Sequence, residues 1–137
     1  MRTFVDSNVL IYAHDADAGS KQHIAADQLR ELWKSGTGLL STQVLQEFYV
    51  TVCRKLSTPL DRPLARRVID TYQVWEIHSL DVTDIVAASE IEERHQLSFW
   101  DSLIVAAARR TNSDCLLTED FQTGRRIEGI LIENPFP

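Results

Sequence analysis

The stretch TFVDSNVLI, residues 3–11, decides the interpretation of the whole chain. Residues 2–5 predict a short buried strand that ends at Asp6, and Ser7 and Asn8 then supply the side chains that commonly cap a helix. The apolar residues that follow predict the helix itself. A strand that passes directly into a helix is the repeating unit of α/β proteins.

The same alternation of strand and helix continues along the rest of the chain. Further strands are predicted at 38–41, 76–80, 115–118 and 130–132. Helices are predicted from a cap at Ser20 to a glycine stop at Gly36, from Thr42, from Asp61, from Asp81 or Thr83 to about His95, and from Ser98. Residues 119–129 are predicted to be loop and turn. This order favours a parallel sheet covered on both faces by helices.

Length and composition indicate a single soluble domain over residues 1–137. Cys53 and Cys115 lack the spacing of a metal site or a redox pair, so we expect free thiols in a reducing cytoplasm. We see neither an export signal nor an apolar run of membrane-spanning length. The net charge of −6 argues against a broad basic surface for nucleic acid. It leaves open an acidic, metal-loaded pocket that acts on phosphodiesters.

Four acids lie beside apolar runs, where an unpaired charge is strongly disfavoured. They are Asp6, Glu47, Asp101 and Asp120. Asp6 and Asp120 each follow a predicted strand, and the connections beyond the carboxyl ends of parallel strands are where ligands bind in such sheets. Converging carboxylates repel one another unless a cation intervenes. The sequence therefore predicts an all-oxygen site for Mg²⁺ or Mn²⁺, which suits phosphodiester hydrolysis.

Four short motifs, taken in order, resemble the PIN-domain nucleases and, among them, the VapC-like toxins of bacterial toxin–antitoxin pairs. They are Val5-Asp6-Ser7-Asn8, Gln46-Glu47-Phe48, Phe99-Trp100-Asp101-Ser102-Leu103-Ile104 and Leu117-Thr118-Glu119-Asp120-Phe121. The resemblance implies a three-layer α/β/α fold with a parallel five-stranded sheet. It also implies an endoribonuclease that depends on Mg²⁺ or Mn²⁺, forms a homodimer and is inhibited by a small cognate antitoxin. In this chain Asp6, Glu47, Asp101 and Asp120 would be the catalytic metal-site residues, with Asn8 and Thr118 as polar supporters.

Several alternatives stay open at the level of sequence. Ser98 and Asp101 have the spacing of a capping box, so Asp101 could serve the helix start alone. Either Glu119 or Asp120 could face the site, although the Thr-x-Asp spacing favours Asp120. The basic pairs at 66–67, 109–110 and 125–126 are interpreted as solvated surface, with RNA contact left open.

Two other functions compete with the nuclease interpretation. The first is a non-catalytic scaffold that keeps the fold to bind RNA or a protein. The second is a phosphate-accepting Asp6 on a similar sheet. We rank the second last, because the residue two positions later is Asn8 rather than an acid and no lysine follows Thr118 nearby.

Overall fold

The computed structural model describes residues 1–137, which form one six-stranded sheet flanked by helices. Its strands are β1 (Thr3–Val5), β2 (Gly38–Ser41), β3 (Glu76–His78), β4 (Cys115–Leu117), β5 (Arg126–Ile127) and β6 (Ile130–Glu133). They lie in the order β3-β2-β1-β4-β6-β5. All neighbouring pairs are parallel except β5 with β6. The predicted α/β class and parallel sheet are confirmed, with a sixth strand added at one edge.

Six helices connect these strands. They are α1 (Ser7–Ala13), α2 (Ser20–Ser35), α3 (Thr42–Arg54), α4 (Arg62–Thr71), α5 (Val82–His95) and α6 (Phe99–Arg110), and a short 3-10 turn covers Tyr72–Val74. Asp61 and Asp81 cap α4 and α5 as the sequence predicts. None of the helices is both long and apolar enough to cross a lipid bilayer.

The prediction of loop and turn over residues 119–129 is wrong at β5. Arg126 and Ile127 pair antiparallel with Leu131 and Ile130 across a two-residue turn. The turn residues, Glu128 and Gly129, have φ angles of 52° and 81°, the positive values that a tight hairpin requires. A two-residue strand is too short to produce a periodic signal in the sequence, so only the turn itself could have pointed to it.

Two helix starts differ by one residue from their prediction. Gly19 rather than Ser20 occupies the cap of α2. Ser41 rather than Thr42 caps α3, where its hydroxyl accepts a hydrogen bond from the Val44 N–H at 3.4 Å. Ser41 is also the last residue of β2. Strand and helix therefore join without a loop, which keeps the first two turns of α3 at the carboxyl edge of the sheet.

The core lies on the central strands and under α6. Phe4, Leu40 and Leu116 on β1, β2 and β4 are fully buried. In α6 every residue from Ser102 to Ala108 is buried, so this helix is enclosed rather than amphipathic. Both cysteines are free, as predicted, and Cys115 on β4 is buried.

Candidate active site

Parallel pairing brings distant parts of the chain together at one edge of the sheet. β1 lies between β2 and β4, and these three strands end with their carboxyl termini side by side. Asp6 follows β1, and its backbone N–H donates to the Leu117 carbonyl of β4 at 3.0 Å. Residues separated by more than a hundred positions in sequence therefore become direct neighbours at this edge.

Asp6 is the most deeply buried acid at this edge, with 3% of its surface exposed. Its Oδ1 accepts the Ser7 N–H at 2.7 Å, and its Oδ2 accepts the Thr118 hydroxyl at 2.8 Å. Burial raises the pKa of Asp6 to about 7, and the negative charges of Asp120 and Glu47 add to the rise, while the two hydrogen bonds oppose it. A nearby cation would stabilise the negative charge of the Asp6 carboxylate in these surroundings.

Glu47 reaches the same edge from the second turn of α3. The Ser7 hydroxyl donates to its Oε1 at 3.0 Å and also lies 3.4 Å from Oδ1 of Asp6. Gln43, one turn earlier on α3, is 5% exposed and points its Nε2 at Oε2 of Glu47, 3.4 Å away. Ser7 thus connects two of the predicted acids, a role that the sequence did not reveal. The only signal was its position between Asp6 and Asn8.

Asn8 and Thr118 form a polar bridge between α1 and the loop after β4. The Asn8 Nδ2 lies 3.4 Å from the Thr118 hydroxyl, and its Oδ1 accepts the Glu119 N–H at 3.3 Å. The Thr118 hydroxyl also accepts a hydrogen bond from the Asp120 N–H at 3.0 Å. Thr118 therefore makes hydrogen bonds with both Asp6 and Asp120.

Asp120 and Asp101 complete the set of four. Burial raises the pKa of Asp120, and the charge of Asp101 raises it further, while a hydrogen bond from Asn8 opposes the rise. Asp101 therefore acts on Asp120 through its charge. Glu47, Asp6, Asp120 and Asp101 thus form a chain of neighbouring charges, although they come from four separate segments.

The predicted capping box at the start of α6 is only half formed. The Ser98 hydroxyl accepts the Asp101 N–H at 3.1 Å, as expected for an N-cap. The Asp101 carboxylate, however, makes no return hydrogen bond to the Ser98 backbone; α5, with Asp81 and Asp84, has the complete box instead. Of the two roles that the sequence left open for Asp101, the reciprocal cap is not formed, and the Asp101 carboxylate is left available to the site.

Glu119 is held by Tyr12 and Lys21, outside the set of four acids. Its carboxylate accepts the Tyr12 hydroxyl at 2.5 Å and pairs with the Lys21 ammonium at 2.6 Å. Burial alone would raise the pKa of Glu119, but these two hydrogen bonds outweigh burial and lower it. A carboxylate engaged in this way is a poor candidate for the site, so the geometry favours Asp120 over Glu119.

The donor set suits a hydrated divalent cation of the magnesium type. All four acids offer hard oxygen ligands, and the nearby histidines are occupied elsewhere: His14 packs against Phe48, and His78 pairs with Asp84. The four carboxylates are near one another but do not form a ready-made group of three ligands. Mg²⁺ is commonly held by one or two carboxylates and several waters, so a partly open arrangement of this kind fits it.

Comparisons with known proteins identify the fold. A sequence model of the PIN domain matches residues 3–127. The VapBC2 complex of Rickettsia felis bound to a promoter DNA fragment is similar in structure, with a TM-score of 0.69, 21% identity and 98% of each chain covered. VapC20 of Mycobacterium tuberculosis, described as a toxin that cleaves the sarcin–ricin loop, gives a TM-score of 0.65 at 21% identity over 83% of this chain and 86% of that one.

A toxin–antitoxin complex from Klebsiella pneumoniae is also similar, with a TM-score of 0.70, 19% identity and 98% of each chain covered. At identities this low, the structural likeness establishes the fold alone. A search among curated protein sequences finds no match.

Proposed function

The chain belongs to the PIN-domain family, and from this membership and its four acids we propose that it is a divalent-metal-dependent endoribonuclease and the toxin of a toxin–antitoxin pair. The observation that carries the proposal is a buried Asp6, with its pKa raised to about 7, that Ser7 links to Glu47 and Thr118 links to Asp120. The charge of Asp101 acts in turn on Asp120. A buried carboxylate like that of Asp6 lowers the free energy of unfolding, and groups with strongly shifted pKa values are concentrated at functional sites.

The proposed chemistry is hydrolysis of an RNA phosphodiester. Mg²⁺ or Mn²⁺, when bound, would polarise a phosphoryl oxygen and lower the pKa of the attacking water. Asp6 and Asp120 would hold the ion, with Glu47 and Asp101 as further ligands or as acceptors from bound water. Thr118 fixes the Asp6 carboxylate by donating to its Oδ2 at 2.8 Å. Ser7 fixes Glu47 by donating to its Oε1 at 3.0 Å, and Asn8 holds the loop that carries Asp120.

Two protein partners belong to this proposal. The first is a small antitoxin, since a structure similar to this chain is a toxin–antitoxin complex. The second is another copy of the chain. Val82, Ile85 and Val86 occupy one side of α5 and remain 74%, 50% and 56% exposed. Exposed apolar side chains clustered at i, i+3 and i+4 on a helix surface support a contact of this kind.

The direct test is RNA cleavage by the purified protein. A cellular RNA pool would be incubated with Mg²⁺ or Mn²⁺, or with excess chelator, and the cut ends would be mapped by sequencing. We expect cleavage only with the metal and its loss in Asp6→Asn. Asp27→Asn is the matched control, because Asp27 lies on the exposed surface of α2 with its side chain 72% exposed.

The competing scaffold function gives the opposite result. A protein that only binds RNA would hold it equally well in chelator and would release no products with Mn²⁺. Products that persist at full yield in chelator, or in Asp6→Asn, would instead contradict the metal-dependent site.

A further inference from the structure

The positive charges of this acidic protein are unevenly distributed. Seven of its fourteen lysines and arginines form ion pairs with acidic side chains. Among the seven that do not, five lie between residues 54 and 67; they are Arg54, Lys55, Arg62, Arg66 and Arg67. The single acid in this segment, Asp61, is used as the cap of α4, where it accepts the Leu64 N–H at 2.8 Å. We call residues 54–67 the basic segment.

The basic segment adjoins the candidate active site. A surface depression of about 420 Å³ is lined by Ser7, Gln46, Glu47, Val50, Thr51 and Lys55. Two of these residues, Ser7 and Glu47, belong to the four-acid site. Lys55 ends α3 as its C-cap and is exposed. A cation that makes no ion pair therefore shares one cavity with an acid of the site.

The depression continues along α3 and α4. The Leu60 N–H donates to the Val52 carbonyl at 2.9 Å, which folds the connection back against α3. A second depression of about 360 Å³ shares Gln46 and Val50 with the first and includes Tyr49 and Ile69. A third, of about 610 Å³, shares Ile69 with the second and is lined by Arg66 and Arg67 together with one acid, Asp70. The surface thus has a cation at each end and an aromatic side chain between them.

We propose that this surface is a binding track for the backbone of single-stranded RNA, with Lys55 contacting a phosphate next to the cleaved bond and Arg66 and Arg67 contacting phosphates farther along. The inference rests on the proposed nuclease function. An acidic site repels RNA, and cations that form no ion pair beside it can offset that repulsion. Tyr49 supplies the kind of flat apolar surface on which unpaired bases stack.

The test compares two of the three lysines in the chain. Binding of a fluorescent single-stranded RNA would be measured by anisotropy over a range of salt, with Ca²⁺ in place of Mg²⁺ to prevent cleavage. We expect Lys55→Met to weaken binding by about 3- to 10-fold at low salt and to lower the salt slope by about 0.7, the value for one lost phosphate contact. Lys34→Met is the control, because Lys34 is 69% exposed on α2.

Further variants test whether binding needs the positive charge of residue 55 or only its shape. A competitor tests whether the ligand is RNA or another acidic polymer. Lys55→Arg should retain most of the binding, and Arg66→Gln with Arg67→Gln should lower the slope by about twice as much as Lys55→Met. The proposal is overturned if Lys55→Met behaves like Lys34→Met, or if polyglutamate displaces RNA as well as unlabelled RNA does. The latter result would indicate a surface for an acidic protein.

Cleavage assays on the same variants distinguish this proposal from the nuclease function. One outcome is that the wild-type protein cuts RNA, and that Lys55→Met and Lys34→Met cut it at equal rates when the RNA concentration is low. The proposed binding surface would then be wrong, and the nuclease function would stand. If the wild-type protein binds RNA through Lys55 but never cuts it with Mg²⁺ or Mn²⁺, the nuclease function fails and the track stands.

Discussion

Asp6 is held in surroundings that oppose its charge, and this has a consequence for stability. Its pKa rises from 3.8 to about 7 in the folded protein, so the folded state binds this proton more tightly than the unfolded chain. The destabilisation is fully present above pH 7, decreases as the pH falls and is absent below 3.8. At about 1.4 kcal/mol for each pKa unit, its upper limit is about 4 kcal/mol.

We therefore expect Asp6→Asn to stabilise the metal-free protein at pH 8 by about 1–3 kcal/mol, because asparagine removes the charge and still caps α1. Urea unfolding in chelator at pH 8 and pH 4 measures this. The difference between variant and wild type should shrink toward the lower pH. Adding Mg²⁺ should stabilise the wild type and leave Asp6→Asn unchanged. A variant less stable than the wild type at pH 8 would contradict this account of Asp6.

At the scale of elements, the packing of β2 against Trp75, the residue before β3, requires a glycine at position 38. Gly38 starts β2 directly against the ring of Trp75, and a Cβ at residue 38 would lie 2.7 Å from Cε3 of that ring. Trp75 is also packed among Trp33 and Tyr72, at ring-centroid distances of 5.6 and 5.0 Å. The ring therefore has little room to move.

We expect Gly38→Ala to cost about 1–3 kcal/mol of unfolding free energy, since overpacking forces side chains out of position. Gly36→Ala is a useful comparison: residue 36 has open space around it but a φ of 69°, so the cost there is backbone strain of about 1 kcal/mol. Combining Gly38→Ala with Trp75→Phe should recover part of the loss, because the smaller ring vacates the volume. Thermal unfolding of the three variants provides the measurement. No recovery in the double variant would exclude the clash as the cause.

The β5–β6 hairpin is attached to the helices through Glu128. This residue, at a φ of 52°, pairs with Arg94 at 2.6 Å, His95 at 2.9 Å and Arg109 at 2.7 Å. The hydrogen bonds from Arg94 and then His95 lower the pKa of the Glu128 carboxyl from 4.5 to about 2. The folded state thus favours the ionised form. The stability that this gives is present above pH 4.5 and is lost as the pH falls through 2.

Glu128→Gln should then cost about 1–2 kcal/mol at pH 7, since the hydrogen-bond acceptor loses its charge and the two arginines, Arg94 and Arg109, stay partly in solvent. The difference from the wild type should disappear near pH 2. Chemical unfolding at the two pH values measures it, and hydrogen exchange at the hairpin amides locates it. An equal loss at both pH values would mean that shape, rather than charge, holds the hairpin in place.

The sequence predicted most elements because their signals are local. Asp61 and Asp81 are strong N-cap residues, and Gly36 is a strong helix stop, so these boundaries follow from backbone hydrogen bonding within a few residues. β5 was missed because two residues carry no periodicity. The capping box at Ser98 was predicted from spacing, but spacing cannot show whether Asp101 turns back to its own helix or toward Asp120, because that depends on the charges around it.

At the scale of the whole molecule, the candidate site exists only after folding. Asp6 and Thr118 are joined by a hydrogen bond of 2.8 Å because β1 pairs with β4. The sequence predicted that both lie at strand ends, and the general rule for parallel sheets placed them on one edge. It could not predict that Glu119 would pair with Lys21, because α2 lies far away in sequence, nor that Ser7 would connect Asp6 and Glu47.

The exposed side of α5 leads to a prediction about assembly. Val82, Ile85 and Val86 have no partner within the chain that covers them, so pairing with a second copy would remove apolar surface from water. We expect the purified protein to be a dimer by light scattering, and Ile85→Glu to be a folded monomer, because a buried unpaired charge at the interface is strongly unfavourable. Val74→Glu is the control, since Val74 is 76% exposed outside α5 and should not affect assembly. A monomeric wild type at tens of micromolar, or a dimeric Ile85→Glu, would mean that α5 is not the contact between copies.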